Sequence, residues 1–328
     1  MKTQAAIDQR DPVSAPEAPA TGHPYLGFAL RTALGLAVVG ALLWRYDVRP
    51  VLRALSRERL AWFAAAVALY VAGQAMSAWR WQLLAALVHV RGKYREFLRL
   101  YFLCMFTNLF LPGLIGGDAT RALYLGRRHS RLGEAAASVV ADRGIGLLAL
   151  FWLAAVMALL MRKSLPPSVI HPTIAVGAVT FIGYLAGPLL ARLVPRLPRR
   201  LHRAAGIVLP YLHRPAALIP SVVLSVILQM SLAVCQWMLA QGLGVDASLW
   251  LFLLAVPITN VFASLPVTLG GLGIRETAYL LLLGSAGVSH DDAIALGLLW
   301  FATAMLGGLT GIIAFLTTPV PVARIEPR

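Results

Sequence analysis

Charged residues inside apolar sequence are the part of this chain that could carry chemistry. Of the fourteen acidic residues, only three lie within or beside apolar segments, and five arginines do the same. A charge inside a membrane costs at least about 2.5–3.5 kcal/mol, so such residues usually face a protein interior and have a partner. Five arginines against three carboxylates leave that interior positive, which suits an anionic group such as phosphate. These residues are Arg31, Arg80, Asp118, Arg121, Asp142, Arg143, Arg275 and Glu276.

A repeated element holds two of these arginines. The stretch "LPGLIGGDATR" occupies residues 111–121 and "LPVTLGGLGIR" occupies residues 265–275, so both follow the pattern L-P-x-x-x-G-G-x-x-x-R. Pro112 and Pro266 are predicted to break a helix because proline lacks a backbone donor, and the paired glycines adopt conformations that other residues resist. The freed N–H and C=O groups are tolerated in a membrane only against protein or a wet cavity. Interrupted segments at corresponding positions of two halves indicate a transporter's midplane site.

The spacing of the charges predicts particular ion pairs. Asp118 and Arg121 are at positions i and i+3, so they share a face if this arm is helical. Arg275 and Glu276 are adjacent and do not face each other, so each needs another partner. Our hypothesis pairs Asp118 with Arg275 across the site. The two arginines of the repeat would clamp an anionic group, and Asp118 and Glu276 are the candidates for proton coupling.

Other polar residues in apolar segments have plainer interpretations. Arg80, in "AWRWQLL", is predicted to snorkel to the membrane interface beside a tryptophan belt. Asp142 and Arg143, in "ADRGIGLL", lie nearly two turns into their span. The sequence favours neither a structural nor a functional role for this ion pair. Gln229 and Gln236 are at positions i and i+7 on one helix face, which predicts interhelical hydrogen bonds.

The composition is that of a polytopic membrane protein. The 328 residues are 59% hydrophobic and 13% charged, whereas about a quarter of a soluble globular protein is charged. The net charge is +15, but the arginines cluster between apolar runs, as expected for contact with lipid headgroups and not for nucleic-acid binding. The two cysteines lie in apolar segments, and the histidines show no metal spacing. We therefore expect no disulfide, metal or other cofactor.

A spanning helix needs about 20 apolar residues, and this criterion divides the chain into segments. Two further apolar stretches, 99–126 and 250–284, carry the repeated element, and each divides into arms of about 10–16 residues that are too short to span alone. We predict a single transmembrane domain over 25–318, a disordered tail over 1–24 and a short cytoplasmic tail over 319–328. The predicted full spans are 25–44, 60–86, 135–161, 168–191, 216–241 and 292–317.

Arginine placement predicts how the two broken stretches are oriented. The flanks of 99–126 are basic on both sides, whereas those of 250–284 are poor in basic residues. By the positive-inside rule the first enters and leaves on the cytoplasmic side and the second on the outer side. Three spans between them require this inversion. The same count places the arginine-rich linker 45–59 on the outer side of the membrane, against the positive-inside rule. Either this linker is an amphipathic interfacial helix or the first span is placed wrongly.

These motifs resemble a known family. "NLFLPGLIGGDATRALYL", "ADRGIGLL" and "LPVTLGGLGIRETAYLLL" are similar to the signature blocks of the lysylphosphatidylglycerol synthase transmembrane-region family, also described as flippase-like. The resemblance implies a membrane region that moves aminoacylated phosphatidylglycerol between leaflets. Relatives that aminoacylate the lipid carry a cytoplasmic transferase domain, and no such domain follows here, so the resemblance does not imply aminoacyl transfer. The resemblance also implies that Arg143 and Gly273 are motif positions of the family, beside the residues of the repeated element.

Together these observations predict an all-α integral membrane bundle with about six full spans and two inverted re-entrant or broken helical hairpins. We expect a transporter of an anionic or aminoacylated lipid, or of an isoprenoid lipid, in a bacterial inner membrane. Its partners would be that lipid and either further copies of the chain or a separate lipid-modifying enzyme. The predicted substrate-binding residues are Asn108, Gly116, Gly117, Asp118, Arg121, Arg143, Asn260, Gly270, Gly271, Arg275 and Glu276, with Pro112 and Pro266 as helix breakers.

Two other functions fit part of the pattern. A membrane enzyme acting on lipid could use Asp118, Asp142 or Glu276 as a base, but the sequence has no G-x-S-x-G or H-E-x-x-H motif. We therefore do not expect an enzyme. An accessory subunit of a lipid- or glycan-building system is the second alternative, although a scaffold has no need for paired breaks beside buried arginines. The sequence also lacks a P-loop, so transport would be passive, ion-coupled or driven by a partner.

Overall fold

The computed structural model describes residues 56, 58–110, 114–160, 162, 167–194, 209–263, 274–284 and 287–317. Within these residues the secondary structure is entirely helical. The helices are α1 Leu60–Leu87, α2 Tyr94–Phe110, α3 Leu114–His129, α4 Leu132–Leu160, α5 Pro167–Leu185, α6 Gly187–Leu193, α7 Ile219–Leu243, α8 Leu249–Ala263, α9 Ile274–Leu282, α10 His290–Leu309 and α11 Ile312–Thr317, with a 3-10 turn at Pro215–Leu218.

Long apolar helices coincide with four of the predicted spans. Helices α1 and α4 are 28 and 29 residues long, and the 3-10 turn with α7 forms another 29-residue segment. The fourth segment, 28 residues long, combines α10 and α11. The predicted count of about six full spans is not confirmed, because the described residues contain four such helices, or five if a bent pair is counted as one span.

The bent pair lies where a single span over 168–191 was predicted. Helices α5 and α6 meet at an angle of 67° at Ala186. Pro188 lies in the first turn of α6, where its missing N–H cannot continue the hydrogen-bond ladder of α5 and its ring clashes with the preceding turn. Proline at this position therefore explains why the apolar run bends.

Each stretch that carries the repeated element contains two short helices. Helices α2 and α3 pack against each other and are 17 and 16 residues long, while α8 and α9 also pack together and are 15 and 9 residues long. Residues 111–113 and 264–273, which separate the members of each pair, lie outside the described residues. The predicted division into short helical arms is therefore confirmed, although hairpins that re-enter the membrane are not established by these helices.

Helices α1 and α7 form the antiparallel centre of the bundle. The Cys235 thiol of α7 donates to the Ala66 carbonyl of α1 at 3.5 Å, and at one end of the pair the Arg59 N–H donates to the Gly242 carbonyl at 3.2 Å. Helices α4 and α10 pack against both central helices. This arrangement brings residues from distant parts of the sequence to one interior.

A glycine lets the C-terminal segment cross α2 closely. A side chain at Gly311 would collide with the carbonyl carbon of Phe102, which lies only 2.9 Å from the position of the missing Cβ. Glycine at a helix crossing allows this approach because it has no side chain. The crossing places α10 and α11 beside the first broken stretch.

Several predicted features lie outside the described residues. They are the N-terminal tail, the first span at 25–44, nearly all of the linker 45–59 and the tail at 319–328.

Candidate functional site

A buried carboxylate, Asp142, joins two helices that flank α4. The Nε of Arg80, on α1, donates to Asp142 Oδ1 at 2.8 Å. The Nη1 of Arg121, on α3, donates to Asp142 Oδ2 at 2.9 Å. Arg80 also donates through Nη1 to the Ser225 hydroxyl of α7 at 2.9 Å. One carboxylate thus holds arginines from two helices, and hydrogen bonds to both oxygens compensate for its burial.

A second carboxylate, Asp118, extends the network towards the surface. Arg121 approaches Asp118 Oδ1 through Nε and Nη2 at 3.0 Å, so the predicted i,i+3 pair is confirmed. Arg143 of α4 donates through Nε to Asp118 Oδ2 at 2.7 Å and through Nη2 to Oδ1 at 3.2 Å. We predicted that Asp118 would pair with Arg275, but its partners are Arg121 and Arg143. The pairing differs because α4 packs directly against α3.

Aromatic side chains enclose the central arginine. The Arg121 guanidinium lies over the rings of Trp81 and Tyr101, at 4.9 and 5.1 Å from their centroids. The Trp81 indole in turn donates to the Ser138 hydroxyl of α4 at 3.0 Å. The aromatic faces attract the cation and exclude water, which strengthens the ion pairs beneath them.

The linked charged residues form what we call the ion network, which consists of Arg80, Asp142, Arg121, Asp118 and Arg143. Its side chains become more exposed towards Arg143. Three arginines face two aspartates, so the ion network carries one net positive charge. The side chains of Arg121 and Asp142 are 1% exposed, that of Asp118 is 16% exposed and that of Arg143 is 46% exposed. The surplus charge is therefore accessible at Arg143.

The ion network lies nearer one end of the bundle. Ser225 is six residues from the start of α7, or about 9 Å at 1.5 Å per residue, and Asp142 is ten residues from the start of α4. Arg131 and Arg214 lie at the adjoining helix ends. By the positive-inside rule this is the end that we predicted to be cytoplasmic.

Asn108 and Gly117 hold α2 against α3. The N–H of Gly117, in the first turn of α3, donates to Asn108 Oδ1 at 3.0 Å. Asn108 therefore acts as a cap supplied by the neighbouring helix. A Cβ at Gly117 would lie 2.6 Å from the Cys104 carbonyl oxygen, so only glycine permits this approach. Both residues were predicted to bind substrate, and their contact joins α2 to the turn of α3 that carries Asp118 and Arg121.

The second copy of the repeated element places its arginine among aromatic rings. Arg275 on α9 is buried, with its guanidinium 5.6 Å from the centroid of the Trp300 ring on α10. Trp300 packs edge-to-face on Tyr70 of α1 with a centroid distance of 5.5 Å. Tyr70 therefore lies beside the ring that Arg275 approaches.

The predicted substrate-binding residues did not include two members of the ion network, Arg80 and Asp142. Arg80 was interpreted as an interfacial residue, which is wrong, because it is buried and forms an ion pair with Asp142 inside the bundle. Asp142 was singled out but left open, and its partners are Arg80 and Arg121, not the adjacent Arg143. The signal for both was the cost of an uncompensated charge within an apolar segment.

The remaining predicted residues are described only in part. Asn260 lies in the last turn of α8 and is partly buried. Gly116 and Glu276 belong to α3 and α9, but the side chain of Glu276 lies outside the described part of the chain. Also outside it are Pro112, Pro266, Gly270, Gly271 and Gly273. Within the described residues, no three His, Cys, Asp or Glu side chains are grouped to hold a metal ion.

An apolar cavity of about 470 Å³ lies on another side of α4, where Gly144 and Leu148 line it. Its tyrosine hydroxyls are already paired. Tyr184 donates to the Pro215 carbonyl at 2.6 Å, and Tyr211 donates to the Leu84 carbonyl at 3.2 Å. The cavity is therefore suited to apolar groups, and the ion network is the better candidate for a charged ligand.

Comparison with known proteins identifies the family to which this architecture belongs. The family model of the lysylphosphatidylglycerol synthase TM region matches residues 28–311. The chain belongs to this family. No curated protein matches it. Family membership and the long apolar helices make it a multi-pass membrane protein, and they relate it to membrane lipids.

Proposed function

We propose that this protein moves a lipid with an anionic headgroup between the two leaflets of a bacterial inner membrane, without changing the lipid chemically. The observation that carries the proposal is the surplus positive charge of the ion network, which is accessible at Arg143 and buried elsewhere. Positive and negative side chains alternate along the ion network, which ends at Arg143. A carboxylate or phosphate bound there would be the next negative group and would balance the surplus charge. The lipid tails would stay in the bilayer while the headgroup uses the protein interior.

The packed helix pairs support this function. Helices shorter than a full span leave ends at membrane depth, and their free backbone groups require protein or a wet cavity. Two such pairs, α2 with α3 and α8 with α9, each carry a copy of the repeated arginine. In the proposed mechanism the pairs enter the membrane from opposite faces, and they present Arg121 and Arg275 towards a shared interior.

An enzyme is the weaker candidate. The aspartates of the ion network are each bound by two arginines, so neither is positioned as a free general base. A purely structural role would explain the ion pairs, including that of Arg143 with Asp118, but it would not require a surplus positive charge at an exposed side chain. Exchange of intact lipid distinguishes transport from both alternatives.

The test is leaflet exchange in liposomes that contain the purified protein and headgroup-labelled lipids. The panel comprises an anionic glycerophospholipid, its aminoacylated form, an isoprenoid phosphate and a zwitterionic lipid. We expect exchange of at least one anionic or aminoacylated lipid above the rate in empty liposomes, with the recovered lipid unchanged in mass. Exchange equal to that in empty liposomes across the panel would contradict the proposal, and an altered lipid mass would favour an enzyme.

A matched pair of arginine variants connects exchange to the site. The Arg143→Gln variant removes the accessible charge and should slow exchange at least tenfold, about the effect of one charge-assisted hydrogen bond. Arg131→Gln is the control, because the Arg131 side chain is equally exposed at 46% but pairs with Glu134 outside the ion network. An equal effect of both substitutions would show that general surface charge is responsible and not this site.

A further inference from the structure

Four polar residues form a stripe along the central helix α7. They are separated by four, four and seven residues, spacings that return to nearly the same helix face. The first and last are fifteen residues apart, which is about 22 Å of helix and most of the roughly 30 Å membrane core. The polar stripe consists of Ser221, Ser225, Gln229 and Gln236.

The stripe begins at the ion network and continues beyond it. The Ser225 hydroxyl accepts a hydrogen bond from Arg80 at 2.9 Å. Because α1 and α7 are antiparallel, Gln236 lies far from Arg80 along α1, beside the level where Cys235 donates to Ala66. Tyr70, which contacts Trp300, lies on α1 between these two levels. The stripe therefore begins at the level of the ion network and extends beyond the level of Tyr70, where Trp300 contacts Arg275.

Several hydrogen-bonding groups on this stripe are buried and have no partner in the described helices. Gln236 is fully buried, and neither its amide nitrogen nor its amide oxygen has a partner among the described residues. The same holds for Gln229 Oε1 and the Ser221 hydroxyl. The interhelical hydrogen bonds predicted for Gln236 are therefore not formed. An unsatisfied buried polar group is destabilising, so a native protein that retains several needs a reason.

We propose that the polar stripe of α7 is the route along which the uncharged, hydroxyl-bearing part of a lipid headgroup crosses the protein. This inference rests on the proposed function and specifies its path. A carboxamide offers one acceptor oxygen and two N–H donors, so it satisfies a hydroxyl, which both donates and accepts. The eleven residues from Ser225 to Gln236 cover about 16 Å, too far for one small headgroup to bridge. Gln229 and Gln236 are therefore successive contacts along the route.

Replacing Gln236 with an apolar residue should change stability in opposite directions, depending on whether the amide serves the route or the fold. If Gln236 has no structural partner, an apolar side chain of similar volume should stabilise the protein, because it removes an unsatisfied group. If Gln236 serves the headgroup, the same change should slow transport. Higher stability together with slower exchange is the signature of a polar group that is retained for function.

The experiment compares Gln236→Met, Gln236→Asn and Ser231→Ala in the full chain. Ser231 lies on the same helix but donates to the Leu228 carbonyl and faces Gly73, away from the stripe, so Ser231→Ala is the control. Exchange of a glycerol-headgroup anionic lipid and thermal stability in detergent are measured for each. We expect Gln236→Met to melt at a higher temperature and to exchange lipid at least about tenfold more slowly. Gln236→Asn should recover part of the rate, and the control should match the wild type.

The outcomes separate the route from the transport function. No exchange by the wild-type protein would overturn the proposed function itself. Exchange by the wild type with an equal rate for Gln236→Met would overturn the route alone. A lower melting temperature for Gln236→Met would show that the amide is satisfied structurally, and this too would overturn the route.

Discussion

The two copies of the L-P-x-x-x-G-G-x-x-x-R element place the same residue in different environments. Arg121 is held by Asp118 and Asp142, with hydrogen bonds from Nε and Nη1, and two aromatic rings cover it. Arg275 lies over the Trp300 ring. An identical spacing thus brings one arginine to two carboxylates and two aromatic rings on helices α1, α2, α3 and α4, and the other to an aromatic ring on α10.

The carboxylates have a consequence for the first half. They fix Arg121 on both sides, so it anchors Asp118, and Asp118 in turn orients the accessible Arg143. We therefore expect the first half to hold its charges rigidly.

The largest expected effect comes from removing the central carboxylate. Asp142→Asn leaves Arg80 and Arg121 close together without a compensating charge, and breaking a buried pair in this way costs about 3–5 kcal/mol. We expect a large fall in the thermal midpoint measured in detergent. Asp291→Asn serves as the control, since this residue lies in the first turn of α10, outside the ion network. A midpoint within a degree of the wild type would show that the ion network does not stabilise the fold.

Lysine substitutions test how strongly the first half holds its arginine. Arg121→Lys keeps the charge but cannot reach both carboxylates with the same geometry, so about 1.5–3 kcal/mol of charged hydrogen bonding is lost. Arg131→Lys is the control, because Arg131 is half-exposed and its surface pair with Glu134 is worth about 1 kcal/mol or less. The midpoints of both variants are compared in one detergent. Equal losses would show that the two carboxylates do not hold Arg121 in place.

A glycine substitution tests how the first half positions its charges. Gly117→Ala forces a methyl group against the Cys104 carbonyl and Asn108, and overpacking of this kind costs about 1–3 kcal/mol. Gly144→Ala is the control, because no other atom lies within 4 Å of its missing Cβ and alanine favours the helix. We expect only Gly117→Ala to lower the midpoint and to slow lipid exchange. A harmless Gly117→Ala would mean that the close approach of α2 and α3 is not required.

The element boundaries were largely predictable because apolar length and helix breakers act locally. Runs of about 20 apolar residues predicted α1, α4 and α7 to within three residues at each end. The repeated Leu-Pro and Gly-Gly pairs predicted that two apolar stretches would divide into shorter helices. The bend at Ala186 was not predicted, because Pro188 was read as part of a continuous run.

The partners within the site were predictable only where they were close in sequence. Asp118 and Arg121 share a face of one helix, and their pair followed from i,i+3 spacing. Arg80 bonds a residue 62 positions away, and its interfacial tryptophan context suggested the opposite environment. The fully buried amide of Gln236, which has no partner within the described part of the chain, was equally unpredictable, since a polar residue in an apolar run usually implies a partner on a neighbouring helix.

By itself the sequence determined the membrane class, the family, the helical segments and the set of charges that an apolar interior must accommodate. These follow from composition, from apolar length and from motifs whose residues lie close together. Only the tertiary structure decided that Arg80, Asp142, Arg121, Asp118 and Arg143 form one network with its surplus charge at Arg143. The reason is physical, because the partner of a buried charge depends on how packed helices are rotated and offset, and no local pattern specifies that.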